Sequence, residues 1–121
     1  MTRGPVENVG ALCRELDVTV GQFAEQLRAS ADAESEYKRE RAKRILRARV
    51  EGEKAISAAE IVADADDVIA DLRHKYLIAE GITEATKHRL RSLTERIGFG
   101  RSLIANEREQ DRLHSQSRNV S

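Results

Sequence analysis

Four carboxylates near the middle of the chain are the residues best suited to chemistry. Spacings of four, three and four residues separate Glu60, Asp64, Asp67 and Asp71. On one continuous helix, such spacings place the side chains along a single stripe. Carboxylate oxygens bind Mg²⁺, which can activate a phosphate group for hydrolysis. The pattern therefore raises a magnesium-dependent nucleotide hydrolase as one hypothesis.

Residues 60–69 resemble the acidic helix of all-α nucleotide pyrophosphatases. That resemblance implies a Glu-x-x-Glu pair and a Glu-x-x-Asp pair that together hold the metal. Here three residues separate Glu60 from Asp64, and the helix before them offers no clean Glu-x-x-Glu. This departure favours the other interpretation, in which the acids form ion pairs with an arginine-rich helix. We therefore expect no metal, no cofactor and no catalytic residue.

Histidine and cysteine offer no alternative site. His74, His88 and His114 lie far apart, and no two of them have the i,i+4 spacing of a helical metal site. Cys13 is the single cysteine, so the chain cannot form an intramolecular disulfide. No phosphate-binding loop motif is present. These residue types predict a protein that is not an enzyme.

Residues 38–49 form a basic segment with seven basic residues and one acidic residue. Clustered Lys and Arg bind nucleic acid by displacing counterions from phosphates. If the chain folds back near residue 52, however, this segment lies beside the acids of residues 58–71. We favour such pairing, because the segment contains no aromatic platform for base stacking. The candidate nucleic-acid contacts are Lys38, Arg39, Arg41, Lys43, Arg44 and Arg47, with Lys87 and Arg91 from a second basic segment.

The composition predicts long helices. Of 121 residues, 35% are charged and 3% are aromatic, and 21 basic residues balance 21 acidic ones. This composition is typical of coiled coils, and the zero net charge argues against a surface tuned throughout for nucleic acid or anionic membrane. The sequence has no apolar run long enough to span a bilayer and no signal-peptide core. We therefore expect a soluble, cytoplasmic protein with one domain.

Glycine and capping patterns divide the chain into a predicted helical hairpin. Residues 1–19 read as an amino-terminal tail with a short helix over 6–16 and a break at 17–19. A capping box at Thr19 predicts a first helix over about 20–50, and Gly52 predicts its end. A second capping box at Ser57 follows a short turn over 52–57. The expected fold is an all-α antiparallel hairpin over 20–113, with a flexible tail over 114–121 and a kink near Gly81 or Gly98.

The second helix carries an uncharged seam with a repeat of 3.5 residues, which predicts left-handed helix packing. Its positions are Ala58, Val62, Ala65, Ile69, Leu72, Tyr76, Ala79, Thr83, Thr86, Leu90, Leu93, Ile97, Gly100 and Ile104. The first helix has a less regular seam. Its predicted positions are Val20, Phe23 or Ala24, Leu27, Ala31, Tyr37, Ala42, Ile45 and Leu46.

Helix lengths predict that part of this seam needs a partner. Counted back from Gly52, the first helix ends near residue 85 of the second, which leaves an overhang of about 20 residues, or about 30 Å. An uncovered apolar stripe implies a partner, and a second copy of the chain is the simplest one. Alternatively, residues 6–16 fold back and cover part of it. The predicted partner-binding residues are Leu90, Leu93, Ile97 and Ile104, flanked by Arg89, Arg96 and Arg101.

Several short pieces between about Phe23 and Arg108 resemble small helical accessory proteins of actinobacterial phages. They are the arginine-rich helix, Glu51-Gly52-Glu53-Lys54, the Ala-Asp-Ala-Asp-Asp stretch, the run from Tyr76 to Gly81, Leu90-Arg91-Ser92 and Gly100-Arg101-Ser102-Leu103. The resemblance implies a small accessory protein that acts through partners in the cytoplasm of a bacterial host. It implies no catalytic residue.

Two functional hypotheses therefore lead. The first is a non-enzymatic coiled-coil accessory protein that self-associates, with a dimer favoured, and binds a protein partner. The second is a nucleic-acid-binding or recombination helper that uses the basic helix faces.

Overall fold

The computed structural model describes residues 4–119, which form three α-helices and no strand. Helix α1 spans Pro5–Val50, α2 spans Ile56–Ala65 and α3 spans Asp67–Asn119. The predicted all-α class is confirmed. The chain divides into two compact units. The terminal unit comprises Met1–Gln22 and Thr86–Ser121, and the turn unit comprises Phe23–Ala85.

Gly52 ends α1, as predicted, through its backbone conformation. Its φ of 128° lies in a region that side-chain-bearing residues rarely adopt. The Glu53 amide donates to the Ala48 carbonyl at 3.0 Å, and the Gly52 amide donates to the Arg49 carbonyl at 3.3 Å. These two bonds form a Schellman motif, which satisfies carbonyls that the helix end would otherwise leave without donors.

Helix α2 begins without the capping box predicted at Ser57. Its N-cap is Ala55, whose side chain accepts no hydrogen bond and whose backbone is extended. The Ala59 amide donates to the Ala55 carbonyl at 3.1 Å and so starts the helical bonding two residues before Ser57. The capping-box prediction is wrong, since the local Ser-x-x-Glu pattern also fits a helix interior.

The second half of the chain breaks at Asp66, and α3 then continues without a break through Gly81 and Gly98. The Asp66 backbone is extended, with φ −68° and ψ 129°. One of its carboxylate oxygens accepts from the Val68 amide at 2.9 Å and from the Ile69 amide at 3.3 Å. Asp66 therefore serves as the N-cap of α3. Both glycines lie at exposed positions, where helical backbone is tolerated at a modest cost.

The short helix predicted over 6–16 is part of α1, whereas the loose tail predicted to include Pro5 and the break predicted at 17–19 are wrong. Pro5 is the first residue of α1, a position where its missing amide costs nothing. The helix then continues through residues 17–19, where a break was expected. Thr19 is buried, and its hydroxyl donates to the Glu15 carbonyl at 2.7 Å instead of capping a new helix. Residues 1–3 lie outside the described range.

The predicted tail over 114–121 is also helical for most of its length. Residues 114–119 belong to α3, and those at 114–118 are exposed. Residues 120 and 121 lie outside the described range.

The seam predicted for the second helix is confirmed along α3. Every predicted seam position from Ile69 to Ile104 is buried or half-buried, and the other positions described in α3 are exposed. Earlier in the seam, Val62 is half-buried and Ala65 is exposed. A 3.5-residue repeat therefore does select the face of α3 that packs against α1.

The seam predicted for α1 is mostly wrong. Phe23, Tyr37 and Ile45 are half-buried, but the remaining predicted positions are exposed. The observed buried or half-buried positions instead follow their own repeat of about 3.5 residues. They include Val9, Leu12, Leu16, Thr19, Phe23, Gln26, Ser30, Ala33, Tyr37, Arg44 and Ala48. Several of these residues are small or polar, so they do not mark the buried face by hydrophobicity.

Each unit has its own packed interior. In the terminal unit, Leu12 of α1 packs with Leu93 and Ile97 of α3. In the turn unit, the buried apolar residues are Ala33, Ala48, Ala59, Ala63 and Ile69. The rings of Tyr37 and Tyr76 stack in that unit with centroids 6.1 Å apart. Within each unit the α1 segment runs antiparallel to its α3 segment.

Candidate interaction surfaces

The predicted partner-binding stripe is largely core. Leu93 is 1% exposed and Ile97 is 6% exposed, because Leu12 and neighbouring α1 side chains cover them. Leu90 and Ile104 are half-buried. The uncovered stripe was predicted because α1 was expected to begin near residue 20. The first turns of α1 supply the missing cover, so these four residues do not form a free surface.

The three arginines predicted to flank that stripe have different surroundings. Arg89 donates to the Glu15 carboxylate at 2.8 Å, which ties α3 to α1 inside the terminal unit. Arg96 lines a groove described below. Arg101 is exposed on the opposite side of the seam from Arg96.

The arginine-rich segment of α1 pairs with the acids after the turn, as favoured from the sequence. Arg41 makes two bonds to the Asp64 carboxylate, at 2.8 and 3.3 Å, and Arg44 donates to Asp66 at 3.2 Å. The hydrogen bond from Arg41 holds the pKa of Asp64 below its ordinary value. The pKa of Asp66 is also lowered, first by the Ile69 amide and then by Arg44. These pairs fix the register of α1 against α2.

The other candidate nucleic-acid contacts in α1 also have carboxylate neighbours. The Lys38 ammonium lies 2.6 Å from the Glu34 carboxylate. Arg39 and Lys43 both lie near the Glu40 carboxylate, and Arg47 lies near the Glu51 carboxylate. The six basic residues proposed from α1 are thus all close to an acid. Lys87 and Arg91 are exposed on α3.

The four carboxylates that suggested a metal site do not share one helix. Glu60 and Asp64 lie in α2, whereas Asp67 and Asp71 lie in α3, beyond the break at Asp66. Asp64 is also engaged by Arg41. Within residues 4–119 no group of three or more metal-ligating side chains is close enough to hold an ion. The stripe on which the hydrolase hypothesis depended is therefore not formed.

An open apolar groove lies on one side of the terminal unit. It has a volume of about 440 Å³, and its walls are Pro5, Asn8 and Leu12 from α1 with Glu95, Arg96, Phe99, Gly100 and Leu103 from α3. Phe99 is 67% exposed and Leu103 is 42% exposed. We call this the terminal groove. Sequence reasoning missed it because Phe99 and Leu103 lie off the seam, although their spacing of four residues places them on one stripe.

The groove floor depends on a close helix approach. Gly100 is buried, and a Cβ at this position would lie 2.5 Å from Cγ2 of Val9. Carbon atoms normally keep about 3.5–4.0 Å apart, so only glycine fits here. The sequence signal was available, since Gly100 was a predicted seam position.

A second exposed apolar face lies on the turn unit. Ile78 and Ile82 are each 50% exposed and share a stripe of α3 with Lys75. The Lys75 ammonium lies 3.7 Å from the Glu36 carboxylate, so the α1 stripe that contains Glu36 faces the same side. That α1 stripe consists of Glu25, Ala29, Asp32 and Glu36, and the exposed Arg28 borders it, three residues after Glu25 and four before Asp32. We call the combination of Ile78, Ile82, Glu25, Ala29 and Asp32 the acidic ridge.

Many large apolar side chains of the described residues are exposed. At least fifteen of them are 42% or more exposed, among them Phe99 and Leu103 on the terminal unit and Ile78 and Ile82 on the turn unit.

None of the helices in the described residues combines the length and apolarity needed to cross a membrane. Comparisons with protein-family models, with curated proteins and with solved structures find no match to this chain.

Proposed function

We propose that this protein acts without catalysis, by packing its helices against other helices, beginning with those of a second copy. The observation that carries the proposal is the exposure of large apolar side chains beside the seam, where Phe99 is 67% exposed and Ile78 and Ile82 are each 50% exposed. Such a role agrees with the accessory function that the resemblance to phage helical proteins implies.

The pattern of exposed residues supports a helical partner. Off-seam apolar residues recur at helical spacing, as with Phe99 and Leu103 or Ile78 and Ile82. Such i,i+4 pairs form ridges and grooves that pack against another helix. A pair of helices can bury only the facing stripe of each one, whereas a four-helix bundle also buries the flanking positions. Two copies of this chain supply four long helices, an α1 and an α3 from each.

Sedimentation velocity of the full chain tests the proposal across protein concentrations from about 1 to 100 µM. We expect a species of twice 13.6 kDa that becomes dominant as concentration rises. The thermal unfolding midpoint, followed by circular dichroism, should rise over the same range, because mass action stabilises an associated native state. A 13.6 kDa species at every concentration, with a constant midpoint, would refute self-association.

A second candidate function is binding to a nucleic-acid backbone by a basic stripe on the terminal unit. Lys87, Arg91, Arg101 and Arg108 are exposed on one face of α3, and Glu95, four residues after Arg91, lies at the edge of that face. Unlike the arginines of residues 38–49, these side chains are not arranged against the acids of α2. Basic groups in such a row can neutralise successive phosphates.

Fluorescence anisotropy with a labelled DNA oligonucleotide tests this second candidate. Binding should weaken steeply with salt, and K87A/R91A should reduce the slope of log K against log salt by about 0.9 for each phosphate that the variant no longer neutralises. K38A/K43A is the matched control, since both lysines lie beside acids on α1. Absence of binding at low salt would eliminate this function.

A further inference from the structure

We infer that one face of the turn unit binds the surface of an anionic phospholipid membrane. The surface is an exposed stripe of α1 together with one lysine of the following turn, and we call it the basic face. It is separate from the exposed apolar pairs of α3 that support self-association. Its members are Arg39, Ala42, Lys43, Leu46, Arg49, Val50 and Lys54.

The basic face lies on the side of α1 that points away from the other helices of the turn unit. Its members on α1 are related by steps of three and four residues, which place them on one side of the helix. All of them are exposed, whereas Tyr37, Arg44 and Ala48 on the opposite side are buried or half-buried. Packing within the turn unit therefore leaves this stripe uncovered.

An open apolar hollow lies where the basic face meets the turn. It has a volume of about 570 Å³ and is lined by Leu46, Arg49, Val50 and Lys54. Val50 is 88% exposed and Leu46 is 62% exposed. Ile56, the first residue of α2, is also more than half exposed. Both sides of the turn therefore expose aliphatic surface.

The two cations of this hollow are available to an anionic partner. Within residues 4–119, neither Arg49 nor Lys54 takes part in an ion pair. The nearest acid at the end of α1, Glu51, lies 3.8 Å from each of two other arginines. Glu53 is exposed in the turn and does not line the hollow. Arg49 and Lys54 thus flank the apolar surface without a carboxylate bound to them.

Acids border the rest of the basic face, where they have partners of their own. Glu40 lies 4.0 Å from Arg39 and 3.2 Å from Lys43. Glu36, one turn earlier, lies 3.7 Å from the Lys75 ammonium of α3. These carboxylates reduce the charge of the amino-terminal part of the face. The strongest attraction for an anion is therefore expected at the turn end.

The local charge remains positive after the internal pairs are set aside. Residues 38–54 contain eight basic and three acidic residues. Arg41 and Arg44, on the inner side of α1, are engaged by Asp64 and Asp66. Six basic and three acidic residues remain, which is a net charge of +3 on a segment of a neutral chain. Such a segment is attracted to an anionic surface within about one Debye length.

The combination of aliphatic and basic side chains favours a membrane over other polyanions. An interfacial helix buries its apolar stripe at the boundary of the acyl chains, while Lys and Arg contact the headgroup phosphates. A DNA duplex offers similar phosphates but no apolar layer that Leu46 and Val50 could enter. The basic face also has no aromatic side chain on which a base could stack. Because the apolar stripe is short, the contact with the bilayer is reversible.

Co-sedimentation with large unilamellar vesicles tests the contribution of charge. The full chain should bind vesicles of equal parts phosphatidylglycerol and phosphatidylcholine, and much less to vesicles of phosphatidylcholine alone. R49Q/K54Q should weaken binding by about 25-fold, because each cation near an anionic surface contributes about fivefold. K87Q/R91Q is the matched control, since it removes two exposed cations from the terminal unit.

Two further variants test whether the apolar stripe enters the bilayer. L46S/V50S should weaken vesicle binding by at least about tenfold, whereas V18S/V20S, which changes two exposed valines elsewhere on α1, should not. The chain contains no tryptophan, so V50W supplies a single reporter. Its fluorescence maximum should shift to shorter wavelength on anionic vesicles, and phospholipid brominated on its acyl chains should quench it.

The possible outcomes distinguish a membrane from a nucleic acid. No binding to anionic vesicles at low salt, or losses in the controls equal to those in the test variants, would overturn the inference. Equal binding to both kinds of vesicle would overturn the role of charge and with it the assignment. If a labelled DNA duplex binds in a manner that needs Arg49 and Lys54, while V50W is not quenched on vesicles, the partner is nucleic acid and the membrane is wrong. Circular dichroism of every variant verifies that helix content is unchanged.

Discussion

Alanine at Gly100 should destabilise the terminal unit, whereas alanine two residues earlier should stabilise it. A Cβ on Gly100 would lie 2.5 Å from Cγ2 of Val9, so the two carbons must separate by about 1 Å to reach an ordinary contact. Val9 has little freedom to move aside, since a β-branched side chain in a helix strongly prefers one rotamer. A Cβ on Gly98 meets nothing within 4 Å.

The magnitude follows from two opposing terms. Overpacking of this kind costs about 1–3 kcal/mol, and replacing a helical glycine by alanine contributes about 1 kcal/mol of stability at either site. G98A should therefore raise the free energy of unfolding by about 1 kcal/mol. The free energy of unfolding of G100A should be about 1–3 kcal/mol lower than that of G98A, because the two variants differ only in the steric clash with Val9.

Urea unfolding followed by circular dichroism measures both variants, at one protein concentration so that association does not shift the result. V9A in the G100A background should recover part of the loss, with a coupling energy of about 0.5–3 kcal/mol in a double-mutant cycle. If G100A is as stabilising as G98A, α1 and α3 do not approach each other at Val9. In that event the floor of the terminal groove is not where the structure places it.

Two further predictions concern ionisation in the turn unit. The hydrogen bond from the Arg41 guanidinium lowers the pKa of Asp64 in the folded chain. This ion pair therefore stabilises the fold fully above the ordinary pKa of 3.8, and the stabilisation is lost as pH falls through the lower pKa of the folded chain. D64N should therefore reduce the free energy of unfolding by about 0.2–1 kcal/mol at pH 7, measured by urea titration. A penalty that does not become smaller as pH falls below 3.8 would contradict this account. The hydrogen bond to Glu80 raises the pKa of Tyr76 to about 12, so that contact stabilises the fold below pH 10 and is lost as pH rises toward 12. In Y37F, where Tyr76 is the remaining tyrosine, ultraviolet absorbance should titrate near pH 12, and adding E80Q should move the midpoint toward 10; an unchanged midpoint would show that Glu80 is not the cause.

The buried face of α3 could be predicted because many positions along the helix follow the same repeat. From Ile69 to Ile104 each seam position is uncharged while charged residues surround it, so one 3.5-residue repeat accounts for the whole face. On α1 the hydrophobic signal is misleading. Leu27 and Leu46 are 48% and 62% exposed, whereas Gln26 and Ser30 are half-buried. Packing against α3 sets the register of α1 and overrides its own apolar pattern.

The helix boundaries show where local patterns are insufficient. Thr19 and Ser57 both fit the capping-box rule, yet one lies inside α1 and the other inside α2. A threonine hydroxyl can bond to a carbonyl four residues back, so its presence does not require a helix to begin. Asp66 was not predicted as a break, because its neighbours favour helix. Its carboxylate accepts a hydrogen bond from Arg44, which is distant in sequence and lies beside Asp66 only in the folded chain.

The partner-binding stripe predicted from the sequence depended on a helix start near residue 20, and the observed start of α1 at Pro5 moves the proposed contact away from the seam. Once α1 begins at Pro5, Leu12 covers Leu93 and Ile97, so the seam needs no second molecule. The turn unit is nevertheless thinly packed, because four of its five buried apolar residues are alanines, which permit close helix approach but bury little area. Under the proposed self-association, additional burial comes from apolar residues beside the seam, because a two-helix layer leaves those positions open. Association through the flanks, with the seam kept within each chain, is therefore the arrangement that this distribution of residues favours.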